Sequence, residues 1–454
     1  MNKSFLLIIL VCLFSSLGLR AEEVNSLLDV NKDDRILILA PHPDDESIGT
    51  AGVIQKALKT GAQVKVVLFT NGDNNELAFI VYEKRLTIRK GEFLHMGEVR
   101  RKETISAMRY LGVKPQDVIF LGYPDFGTME ILTKYWQTDK PYRSMFPRQT
   151  KVPYPEAKSP NAPYVGESVL EDLKKVIADF KPTKIFVSHP ADTNRDHRAL
   201  YVFTRIALWD LKEQIQQPKI FPYIIHVLGW PTPRGYHLDL ELKAPSEISD
   251  GEIAWQKLDL INEEINSKHD AIGFYKSQIE CDPPYLFTFA RKNELFGDYP
   301  MVTIKRQVGS EIYWQDLGIE DEVTSITSEK ERNQLSYVAY ALKDEYFFIK
   351  IVLKRNIDKD FGVAIFLLGY NKSTPFAKMP KIQLSLGWGG FVIKDKKQIL
   401  HVKNAKLSTQ GKELIFKIPL NMLGNPDHVL SSVKTHSASL PLDASAWRVL
   451  LLEQ

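Results

Sequence analysis

Between Arg35 and Gly229, short apolar runs alternate with longer stretches of helical spacing. No other feature limits the available folds as much. Arg35–Ala40 (RILILA) lacks the polar alternation of a half-exposed strand, so it reads as a strand of a parallel sheet covered on both faces. The same reading applies to Val64–Thr70, Val118–Gly122 and Lys184–Ser188, with a fifth strand expected at Tyr223–Leu228. Helices are expected at Glu46–Thr60, closed by Gly61, at Val99–Leu111, closed by Gly112, and at Glu167–Phe180 and Arg198–Gln214. The alternation predicts an α/β domain, Rossmann-like and doubly wound around a mostly parallel sheet. Residues 128–164 break the pattern with Pro, Tyr, Lys and Arg, and read as a binding loop or a surface loop.

Beyond about Pro300 the texture changes. Tyr346–Leu353, Gly362–Leu368, Leu384–Leu386 and Leu414–Ile418 are short β-type runs separated by turn residues. They predict an all-β sandwich over residues 305–454, after an α/β domain over residues 30–300. At the other end, residues 1–21 combine a basic start, an apolar run from Phe5 to Phe14 and small residues before Ala21. This is the pattern of a removable export signal, and it predicts a periplasmic or extracellular protein. No later segment resembles a membrane span. The chain has 454 residues with only two cysteines, Cys12 and Cys281, which excludes a disulfide scaffold and a Cys-rich zinc module. Lys and Arg number 59 against 56 Asp and Glu, so the charge balance offers no case for nucleic acid as a partner.

Two polar clusters follow predicted strands. Pro41-His42-Pro43-Asp44-Asp45-Glu46 comes directly after the first strand, and His189-Pro190-Ala191-Asp192-Thr193-Asn194-Arg195-Asp196-His197 after the fourth. Ligands of open α/β sheets bind beyond the carboxyl ends of strands. Two such ends on one rim bring His42, Asp45 and His197 within reach of one Zn²⁺. Three protein ligands with a fourth position open is the catalytic zinc pattern, and Asp44 is then placed to act as a base on water. Taken singly, these residues have blander explanations, an Asp or Asn at a helix start being most often a cap. Gly-x-Ser-x-Gly, His-Glu-x-x-His, P-loop and Gly-x-Gly-x-x-Gly patterns are absent.

PHPDDE together with HPADTNRDH resembles the LmbE-like, or PIG-L, zinc-dependent N-deacetylases. So do Thr70-Asn71-Gly72-Asp73, Arg100 to Glu103, Phe120 to Asp125 and Lys268 through Ser277-Gln278; the resemblance runs from about Asp34 to Phe296. It implies hydrolysis of an N-acetyl group on an N-acetylglucosaminyl-type conjugate, with His42, Asp45 and His197 as zinc ligands and Asp44 as general base. Arg100 and Asp125 would contact sugar hydroxyls, and Asp196 would support a ligand from behind. Asn194 stands where many members carry a His that assists the oxyanion or protonates the leaving amine. Asn can donate a hydrogen bond but not a proton, and His226 is a candidate substitute, its blander reading being a buried strand histidine. This departure motivates an alternative, a weak or inactive enzyme that binds glycans. Trp314, Trp388 and Trp447 of the sandwich, which loosely resembles carbohydrate-binding modules, would then be candidate platforms.

Overall fold

The structure is a computed structural model. It describes residues 26–74, 90–248, 253–312, 314, 318–319, 323–325, 335–357, 360–438 and 440–453. The expected export signal, residues 1–21, lies outside the described residues.

The first region is built on an eight-stranded sheet. Its strands are β1 (Ser26–Leu27), β2 (Arg35–Ala40), β3 (Gln63–Thr70), β4 (Val118–Tyr123), β5 (Lys184–Ser188), β6 (Lys219–Tyr223), β7 (Gln256–Asp259) and β8 (Asn293–Phe296), in the order β1-β7-β8-β6-β5-β2-β3-β4. From β6 to β4 all neighbours are parallel, whereas β8 joins β6 and β7 antiparallel. The helices are α1 (Asp45–Thr60), α2 (Lys90–Tyr110), α3 (Thr128–Lys134), α4 (Gly166–Phe180), α5 (Arg195–Asp210), α6 (Asn262–Ile272), α7 (Lys276–Ile279) and α8 (Pro283–Phe287).

Strand β2 shows why the sequence gives three layers. Ile36, Ile38 and Ala40 enter one apolar core with residues of α1, while Leu37 and Leu39 enter a second core with residues of α4 and α5. A strand that feeds both cores must be apolar at every position. Gly61 ends α1 in the left-handed conformation (φ 84°) that glycine adopts freely.

Two expectations need correction. The fifth parallel strand is Lys219–Tyr223, not Tyr223–Leu228. His226 is therefore not a strand residue and lies in the loop beyond the carboxyl end of β6. Residues 128–164 are not an unanchored surface loop. They begin with α3, and Trp136, Val152, Tyr154 and Tyr164 are buried. The Tyr154 hydroxyl donates to Asp73 Oδ2 (2.7 Å), and Lys158 N–H to Phe120 O (2.8 Å). Neither helical nor strand spacing reveals a segment held mainly by aromatic side chains.

The second region is a curled, fourteen-stranded all-β assembly. Val302–Gln307 runs parallel to Leu335–Lys343 on one side and to Arg448–Glu453 on the other, joining the two halves of the sandwich. Val338 and Ile349 from one half meet Ile365 and Val433 from the other in a shared core. Leu368, Tyr370, Phe376, Met379, Leu430, Trp447 and Val449 leave that core and pack with Trp136, Phe203 and Leu208 of the α/β region.

Candidate metal centre and pocket

β2 has β3 on one side and β5 on the other, so the direction of the strand order reverses between β2 and β5. This is the topological switch point where open α/β sheets form ligand crevices. Both polar clusters leave from it, the first between β2 and α1 and the second between β5 and α5.

The structure brings His42, Asp45 and His197 together. One donor atom from each lies within 4.8 Å of the others, and all three residues are buried. Asp45 Oδ2 is 3.2 Å from His42 Nδ1 and 3.1 Å from His197 Nε2. Ligand atoms about 2.0–2.1 Å from a tetrahedral zinc are separated by about 3.3 Å along a tetrahedron edge, so the spacing fits.

The far nitrogen of each imidazole faces another carboxylate. His42 Nε2 lies 3.2 Å from Asp125 Oδ1 and 3.4 Å from Asp196 Oδ2, and His197 Nδ1 lies 3.0 Å from Asp192 Oδ2. Carboxylates behind ligating histidines fix the ring and raise its basicity. The residue behind His197 is thus Asp192, while Asp196, beside it in sequence, serves His42. Asp44, Asp45, Asp125, Asp192 and Asp196 are all buried here against two buried arginines, Arg100 and Arg198, an excess of negative charge suited to a divalent ion. The donor set therefore fits a metal.

Asp44 precedes α1 but makes no capping hydrogen bond, and its backbone is held at φ 129°. Its Oδ2 instead accepts from Arg100 Nη2 (3.2 Å). Burial raises this carboxyl to about 8, with Arg100 pulling the other way. Asp45 is held well below the usual range, because His197 and His42 outweigh its burial. Burial lowers His197, but Asp192 and Asp45 override it and raise the imidazole to about 9. A bound cation would oppose that protonation.

The remaining expected residues are placed as follows. Arg100 also donates to Gly72 O (3.0 Å) and Pro43 O (2.7 Å), so it braces the Asp44 loop while lining the pocket. Asp125 lines the pocket with Oδ1 toward His42 and Oδ2 accepting Asn74 N–H (3.0 Å). Asn194 is the N-cap of α5, its Oδ1 accepting Asp196 N–H (2.9 Å), which commits that oxygen and leaves its amide nitrogen as the donor group. His226 lines the same pocket, edge-on to His197 at 4.7 Å between ring centroids. Burial lowers its basicity.

Sequence reading missed Asp192, Tyr285 and Phe126. Asp192 stood inside the quoted cluster, and its direction is set by accepting the backbone N–H groups of Asn194, Ile225 and His226. Tyr285 comes from α8, and no motif marked Phe126. The three pocket-lining residues Phe126, Tyr285 and Leu286 help close a cavity of about 200 Å³ over His42, Asp44 and Asp45.

A family model described as "PIG-L: GlcNAc-PI de-N-acetylase" matches residues 37–208. The 1D-myo-inositol 2-acetamido-2-deoxy-alpha-D-glucopyranoside deacetylase of Nocardioides sp. (strain ATCC BAA-499 / JS614) is 35% identical over 107 residues, which are 24% of this chain and 33% of that protein. The chain thus spans about a third of the length of the curated relatives it matches. Among solved structures, the N,N'-diacetylchitobiose deacetylase from Pyrococcus horikoshii is 22% identical, covering 58% of this chain and 84% of that one, at a TM-score of 0.37. The 4-carboxy-2-hydroxymuconate hydratase from Pseudomonas putida KT2440 is 14% identical, covering 61% and 99%, also at 0.37. With the site and the family match in agreement, residues 37–208 make up a PIG-L family domain.

Proposed function

We propose that this protein is a zinc-dependent N-deacetylase. It hydrolyses the N-acetyl group of an amino sugar in a saccharide or conjugate, releasing acetate and a free amine. One observation carries the reading: the donor atoms of His42, Asp45 and His197 converge beside a carboxylate, Asp44, that the helix start does not use. The description of the matching family and the acetamido sugar named for the bacterial relatives support it. The leader-like composition of residues 1–21 supports an exported protein, which recovery of the processed chain outside the cytoplasm would test.

His42, Asp45 and His197 would hold the zinc, which supplies Lewis acidity at the amide oxygen and at water. Asp44 Oδ2 is engaged by Arg100, so Oδ1 is the atom that takes the proton from attacking water. Asn194 offers its amide nitrogen as a hydrogen-bond donor. The Tyr285 hydroxyl donates to Ile225 O (3.1 Å), so the contact with His226 Nδ1 (3.2 Å) is donated by the imidazole. That leaves His226 Nε2 to hold or move a proton at the departing amine, the task Asn194 cannot perform. Ile48 and Leu286 exclude water from the pocket wall.

The test is metal analysis followed by acetate release from N-acetylglucosaminyl substrates. The wild type is expected to hold about one zinc per chain. Asp44→Asn is expected to keep the metal and lose about 10²–10⁴-fold in kcat, while Asp45→Ala is expected to lose both. Saccharide binding without zinc, and with no acetate released, would instead establish the glycan-binding alternative.

A further inference from the structure

Phe126 has an unusual combination of features. It lies in the loop between β4 and α3 with φ 57°, a left-handed conformation that suits glycine and is disfavoured for a bulky side chain. The loop is forced into this shape by a buried group. Asp196 Oδ2 accepts the Phe126 N–H, and Asp196 Oδ1 accepts both the N–H and the hydroxyl of Thr128. Core packing does not explain the phenyl ring, since Phe126 is 49% exposed and belongs to none of the three apolar cores. The residue nevertheless lines the pocket that holds His42, Asp44, Asp45 and Asn194. An aromatic ring at a glycine-like position, spared from the core and set at a pocket mouth, marks a contact with a ligand.

The cavity over His42, Asp44 and Asp45 is about 200 Å³, below the range of roughly 300–1,000 Å³ usual for ligand pockets. It takes an acetamido group and the adjoining edge of a sugar, leaving the rest of the pyranose at the mouth. A pyranose has an apolar face of C–H groups, and an aromatic side chain covers such a face well. Resting on the deacetylase reading above, we propose that Phe126 is a specificity-determining residue that stacks on a pyranose ring and directs its acetamido group toward Asp44 and Asp45.

The experiment compares wild type, Phe126→Gly and Phe126→Trp on N-acetylchitooligosaccharides, by steady-state kinetics, calorimetric binding and thermal unfolding. Glycine adopts φ 57° freely, so Phe126→Gly is expected to keep or raise Tm. Its KM and Kd for the oligosaccharide are expected to rise roughly tenfold, with a smaller change in kcat. Phe126→Trp is expected to restore both constants. Unchanged KM and Kd in Phe126→Gly, beside an active wild type, would overturn the stacking role and leave the deacetylase reading intact. A wild type that binds the saccharide but releases no acetate would overturn the deacetylase reading alone, and the Kd series would still decide the role of Phe126. A wild type that neither binds nor turns over the oligosaccharide would overturn both.

Discussion

At Gly72 a single methyl group would collide with the machinery of the site. A Cβ built there would lie 2.0 Å from Arg100 Nη1, and the backbone is already left-handed at φ 65°. Gly72→Ala is therefore expected to lower stability by about 2 kcal/mol and to displace the guanidinium from Pro43 and Asp44, measurable as a lower denaturation midpoint together with lost kcat. Asp192 acts differently. It orients His197 from behind while both its oxygens accept backbone N–H groups, so Asp192→Asn sets an NH2 against one of those donors and is expected to weaken zinc binding by about 10–100-fold in competition with a chelator and to lower Tm as well. Residue types and spacing made His42, Asp45 and His197 legible, since strand ends place them on one rim. Asp192 and Asp196 were harder to assign because neighbouring positions at a helix start point in different directions. Asp196 stands next to His197 in the chain, but the backbone N–H groups of Ile225 and His226 turn Asp192 toward that ring.

At the scale of elements, the site depends on how α1 is clamped. Lys268 of α6 and Glu294 of β8 form a buried ion pair at 2.7 Å. Glu294 also accepts Gly52 N–H (2.7 Å) and Val53 N–H (3.0 Å) of α1. Likewise, Glu103 of α2 accepts both the N–H and the hydroxyl of Ser277 at α7. Lys268 and Ser277 are thus structural, while Gln278 reaches the pocket. Lys268→Met would leave Glu294 buried with only backbone donors, and is expected to cost about 3 kcal/mol, read as a loss in unfolding free energy from a urea titration. Strands buried on both faces were legible because every position must be apolar. Strands β7 and β8, which pair antiparallel inside the sheet, were not, because QKLD and NELF are short and mixed. The displaced fifth strand has the same origin: Tyr223, Ile224, Ile225 and Val227 are buried, but all except Tyr223 belong to a loop entering the core.

At the scale of the whole molecule, the sandwich is not an appended bead. Trp447 is buried between the two regions, whereas Trp388 at a hairpin tip is 89% exposed, so the three sandwich tryptophans do not form one platform. Lys434 of the sandwich faces Arg198 and Arg195 of α5 and Glu130 and Lys134 of α3, with Phe366 beside it. Burial, reinforced by the two arginines, lowers this ammonium to about 7. Above that pH the folded chain has released the proton, while the unfolded chain keeps it to about 10.4. The unfolded state binds more protons in this window, so Lys434 makes stability rise with pH there. Lys434→Met is expected to flatten the rise between about pH 7 and 10 relative to wild type in paired thermal melts.

Arg198 Nη2 donates to Ser445 O (2.7 Å), Trp447 N–H donates to Pro190 O (3.2 Å), and Arg198 Nε also holds Asp192 O (2.7 Å). The loop that carries Asp192 and leads to His197 is thus tied to a segment synthesised 247 residues later. A nascent chain leaving the ribosome carries the Asp192 loop without those two ties until Ser445 and Trp447 emerge, so the candidate centre is completed late in synthesis, after His42, Asp45 and His197 themselves have been made.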